Sequence, residues 1–123
     1  MTQSISQRAA AGAMEIPKGE RSPSELYRLA AKEWVELDGA ARIMEESKTA
    51  VLAQEMKKLG DVPAARAERD VKASEYWSDY IQNMVSARTR ANLAKVKMEW
   101  TRMKFKEFEA RNYATRQEMG LSR

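Results

Sequence analysis

The residues able to do chemistry here fall into two sets, carboxylates and cations. Glu45, Glu46, Asp61 and Asp79 could serve general acid–base work or hold Mg²⁺. None of them sits in an apolar run that would raise its pKa, and no glycine loop accompanies them. The chain has no His and no Cys. The commonest general base, the commonest transition-metal ligand and the thiol nucleophile are therefore all missing. Ser-His-Asp, Cys-His, H-E-x-x-H and zinc-ribbon chemistry cannot be assembled from one copy. No catalytic residue, metal ligand or cofactor site is expected, and the protein is read as a non-enzyme.

The cations are more informative. Lys and Arg number 22 against 18 acids, a net charge of +4. Between Ser86 and Lys106 stand Arg88, Arg90, Lys95, Lys97, Arg102, Lys104 and Lys106, opposed only by Glu99. The excess of charge thus lies in one stretch, which could meet phosphates or an acidic protein surface.

A long helix must carry that stretch. Trp77, Tyr80, Met84, Ala87, Ala91, Ala94, Met98, Thr101, Phe105 and Phe108 follow an unbroken alternation of three and four residues. That is a heptad seam of a and d positions. Its middle is small, so a partner helix can approach closely, and its ends are bulky. Arg88, Arg90, Lys95, Lys97, Arg102 and Lys104 occupy the flanking e and g positions. Leu93, Val96, Trp100 and Met103 form a second apolar stripe on the outer face, expected to be covered by a third helix or a second subunit, or to meet a partner. Trp100 amid Lys97, Arg102 and Lys104 suits base stacking or the anchoring of a protein.

Two further elements complete the pattern. Ser22-Pro23-Ser24-Glu25 reads as a capping box opening a helix over 22–59 that stops at Gly60. Tyr27, Ala30, Trp34, Leu37, Ala41, Met44 and Val51 repeat the seam spacing, broken at Lys48, and Gly39 marks a kink or a close crossing. Asp61 is the expected N-cap of a short helix over 63–73. Ser74 with Glu75 caps the long helix, 75–119, which ends at Gly120, followed by a tail at 121–123. Residues 1–21 read as a flexible arm. No alternating β-branched run predicts a strand.

The expected fold is all-α: one helical domain, 22–120, folded as a long antiparallel, coiled-coil-like hairpin and assembled as a homo-oligomer. In the expected register Val51 faces Met84, Met44 faces Ala91, Leu37 faces Met98 and Ala30 faces Phe105. Glu33, Asp38 and Glu45 of the first helix then face the basic flanks, three acids for six bases, so pairing within the chain or between subunits is the alternative explanation of the stripe. No signal-peptide core and no membrane span is visible, so a soluble, cytoplasmic protein with no membrane partner is expected.

The segments Ser74-Glu75-Tyr76-Trp77, Ala87-Arg88-Thr89-Arg90-Ala91 and Arg111-Asn112-Tyr113-Ala114-Thr115-Arg116-Gln117-Glu118-Met119 resemble small all-helical proteins encoded by phages and prophages. The shared words are A-R-x-x-A-N-x-A-K and a polar R-x-E-M tail, within the last ~50 residues. The resemblance implies a phage-encoded accessory protein in the cytoplasm of a bacterial host. Two roles suit one: contact with DNA or RNA, or with a nucleic-acid-processing complex, through the basic helix; or binding and inhibition of a host defence or nucleic-acid enzyme. A purely structural coiled coil is the third expectation.

Overall fold

The first helix starts where a serine hydroxyl replaces a missing intrahelical partner. In the computed structural model, which describes Gly19 and residues 21–121, the Glu25 N–H donates to Ser22 Oγ at 3.2 Å. Half of the capping box is therefore formed. The Glu25 carboxylate is taken instead by the Arg28 guanidinium, at 2.6 and 2.9 Å. Helix α1 then spans Pro23–Lys58. It ends in a turn at Gly60, whose φ of +81° is one that glycine adopts without strain.

Helix α2 is short, Ala64–Lys72, and its start departs from expectation. Pro63, not Asp61, is the N-cap, and no side chain caps it. Val62 N–H turns back to the Gly60 carbonyl at 3.0 Å, while the Pro63 carbonyl accepts the Ala67 N–H at 2.9 Å. The turn thus uses backbone groups where an aspartate side chain was expected. Ser74 caps α3, Glu75–Leu121, accepting the Trp77 N–H at 3.2 Å. Gly120 lies inside this helix rather than ending it. Among the described residues there is no strand, and no helix is long and apolar enough to cross a membrane. The expected arm over 1–21 lies outside the described residues, apart from Gly19 and Arg21.

The chain divides into two units, one from Ala30 to Met98 and one from residues before Ala30 and after Met98. In the 30–98 unit α1 and α3 form an antiparallel hairpin. Its centre is made of Ala41, Ala87 and Ala91, with Leu37 and Met44 packed against them. Alanines bury little area each, but they let two helix backbones come close and gain dispersion contacts along their length. Trp77, only 7% exposed, fills the turn end of the hairpin. It stacks on Tyr80 at 5.7 Å between ring centroids. The Tyr80 hydroxyl donates to the Met44 carbonyl across the pair.

Three expectations about this hairpin change. Ala41 packs with both Ala87 and Ala91, so the register is displaced from the one that set Met44 opposite Ala91. The break at Lys48 is filled by Ser47, three residues after Met44, which takes the half-buried position while Lys48 is exposed. Gly39 marks no close crossing, since a Cβ there would meet nothing within 4 Å. In the other unit Thr101 is buried and Phe105 half-buried. Phe108, expected in the seam, is 44% exposed.

Candidate interaction surface on the third helix

Helix α3 positions its cations by heptad geometry. In an antiparallel pair, e positions face e and g positions face g, so each base can reach only the acids on its own flank. On the e flank, Arg88 spans two acids. Its Nε and Nη2 donate to Glu45 at 2.9 and 2.7 Å. Its Nη1 donates to Asp38 at 2.7 Å. These hydrogen bonds hold the Asp38 and Glu45 carboxyls below their usual range and push Arg88 up, against smaller opposing effects of desolvation. Asp38 also receives Arg42 at 3.1 Å.

On the g flank Lys97 donates to Glu33 at 3.0 Å. All three facing acids of α1 are thus engaged, and they occupy only Arg88 and Lys97 of the six flanking bases. Arg88 and Lys97 therefore pair within the hairpin, as part of the basic stripe was expected to do.

The other bases are held differently. Lys95 lies over the Trp34 ring, 6.0 Å from its centroid. Arg90, Arg102 and Lys106 are exposed and make no ion pair among the described residues. Lys104 reaches Glu107 at 3.5 Å and lies over the Trp100 ring at 5.6 Å.

The outer apolar residues stand in solvent. In the 30–98 unit Leu93 is 65% exposed and Val96 similarly so. In the other unit Trp100 and Met103 are equally open, with Trp100 59% exposed. The seam residues Trp77, Ala87, Ala91 and Ala94 are buried, and Tyr80, Met84, Met98 and Phe105 half-buried.

Beside Leu93 runs a shallow groove lined by Glu33, Leu37, Arg90, Leu93, Ala94 and Lys97. Sequence reasoning overlooked Ile43, which is 67% exposed on α1. Its signal was a second three-and-four spacing, Glu36, Gly39, Ile43, Glu46 and Ala50, on the c and f positions of that helix.

Among the described residues no three acidic side chains gather as metal ligands. The arrangement offers ion pairing, stacking and apolar contact. Compared with protein families, with curated proteins and with solved structures, the chain finds no match in any of the three.

Proposed function

We propose that the protein is a non-catalytic, all-helical interaction protein that contacts nucleic acid through α3, by Trp100 with Lys104 over its ring, and by Arg102 and Lys106 on another face of the same two turns. The observation that carries this reading is the exposed Trp100 ring on the same two turns of α3 as Arg102 and Lys106, cations that make no ion pair among the described residues. Lys104 extends over the same ring. Its contact with Glu107 is long and exposed, so it yields readily to a phosphate. An indole offers a face to any base, and the cations track the backbone, which suits single strands without sequence preference. The phage-protein resemblance supports an accessory role of this kind. No His or Cys is present to do covalent or acid–base work.

Gel-shift titration with single-stranded DNA and RNA at two salt concentrations tests the proposal. Wild-type binding weakens steeply with salt. In the double variant Arg102→Gln/Lys106→Gln the slope of log K against log salt falls by about 0.7 for each phosphate no longer neutralised. Trp100→Ala lowers affinity by about 1–3 kcal/mol per stacked base and leaves helicity intact, because the ring is exposed. Absence of wild-type binding at low salt rejects the proposal.

A second reading follows from Leu93, Val96 and Met103, exposed apolar side chains that phosphate binding does not need. They suit a protein partner, either an enzyme complex that the protein inhibits or further copies of the chain. Binding that persists at high salt favours that reading.

A further inference from the structure

Within the 30–98 unit the two helices carry opposite charge. Residues 33–46 hold Glu33, Glu36, Asp38, Glu45 and Glu46 against Arg42 alone, and residues 86–98 hold Arg88, Arg90, Lys95 and Lys97 with no acid. Internal pairing uses Glu33, Asp38 and Glu45 with Lys97 and Arg88. Glu36 and Glu46 on α1, and Arg90 on α3, are exposed and keep no ion pair among the described residues. Two of these leftover charges lie beside an exposed apolar residue: Glu46 three positions after Ile43, and Arg90 three positions before Leu93.

We infer that the groove lined by Leu37, Arg90, Leu93 and Ala94 receives α1 of a second copy of this chain, with Ile43 against Leu93 and Glu46 against Arg90. The spacing sets the direction. Three residues forward from Ile43 meet three residues back from Leu93 only when the incoming α1 runs antiparallel to α3. Charge selects the occupant. Two α3 stripes face to face would bring together two segments that are basic throughout residues 86–98, and two α1 stripes two segments that are mainly acidic over 33–46. A nucleic acid would satisfy Arg90 but leave both Leu93 and Ile43 in water.

The contact is therefore head to tail, with different surfaces on the two copies. Repetition closes a ring or extends an array. This inference rests on residues 30–98 and is independent of the nucleic-acid reading, which rests on residues after Met98.

Sedimentation velocity of the full chain without nucleic acid, at micromolar concentration, tests it. Wild type sediments as a dimer or larger. Ile43→Asp and Leu93→Asp each sediment as monomers with unchanged circular dichroism, since both side chains are exposed in one copy. An equimolar mixture of the two variants forms a dimer and nothing larger, because each retains the surface the other lacks. Arg90→Glu weakens association by about tenfold or more, and adding Glu46→Arg restores it. A monomeric wild type, single variants that still assemble, a mixture that stays monomeric, or a charge swap that fails to restore association would each overturn the inference.

Discussion

The same heptad spacing runs through α3, yet its two ends are buried to different degrees. From Trp77 to Ala94 the inward positions are covered by α1, and the alanines at the centre reach zero exposure at Ala41 and Ala91. From Glu99 onward, Thr101 is buried and only Phe105 and Asn112 are half-buried among the described residues, while Phe108, Tyr113 and Met119 stand open. The described part of α1 in that unit is only Pro23–Leu29. Periodicity therefore states which face of a helix calls for a partner. It does not state that the partner lies in the same chain.

The largest expected effect contrasts the two ends directly. Ala91→Leu forces a branched side chain towards Ala41, where there is no room. It should destabilise the hairpin by about 1–3 kcal/mol or more. Ala110→Leu, on exposed α3, should stay within about 0.5 kcal/mol of wild type. Thermal or urea melts followed by circular dichroism measure both. Equal losses would mean that the far end of α3 is packed as tightly as the hairpin.

A smaller loss is expected at the turn end. Tyr80→Phe keeps the ring stacked on Trp77 and removes only the hydroxyl that donates to the Met44 carbonyl. The cost should be about 0.5–1.5 kcal/mol in the same melts. A neutral result would assign the anchoring to the ring stack alone.

The smallest effect is electrostatic and separates long-range from local pairs. Asp38 and Glu45 are lowered by Arg88, from 50 and 43 residues away in sequence. That lowering exists only in the folded hairpin. It contributes stability fully above the unfolded carboxylate values, about 3.9 for Asp and 4.3 for Glu. The contribution is lost as pH falls through the lower folded values. Arg88→Gln should therefore reduce stability near neutrality and flatten the fall in Tm below about pH 4. Glu25 is lowered chiefly by Arg28, three residues on in the same helix turn. Arg28→Gln should leave the melting of the hairpin almost unchanged. A variant at Arg88 with the wild-type acid profile would exclude its role as clamp.

Much of this was legible in the residues. The α3 seam from Trp77 to Phe105, the small centre at Ala87, Ala91 and Ala94, the serine caps and the Gly60 stop all follow from local chemistry and spacing, and the structure shows each. The pairing of Glu33, Asp38 and Glu45 with basic flanks was also readable, but its economy was not. Counting one acid per base misses that a guanidinium with several donors can hold Asp38 and Glu45 together, two helical turns apart. Register was misplaced because an alanine seam has no large side chain whose fit excludes a neighbouring alignment. Asp61 misled because its side chain is a good cap, while Pro63, with φ already at −52°, starts a helix without one. The candidate surface was legible as periodicity on α3, and its counterpart at Ile43 was hidden by the mixed polarity of that α1 stripe.

The three tryptophans give the molecule an optical address for each of its parts. Trp77 is enclosed, Trp34 is half-covered with Lys95 above it, and Trp100 stands in solvent. Single-tryptophan variants should therefore differ in emission wavelength and in quenching by iodide or acrylamide, Trp77 bluest and least quenched, Trp100 reddest and most. A strand of bases stacking on α3 would darken Trp100 and leave Trp77 as it was. Opening of the hairpin would shift Trp77 while Trp100 scarcely changed, so ligand binding and unfolding can be followed in one cuvette as separate signals.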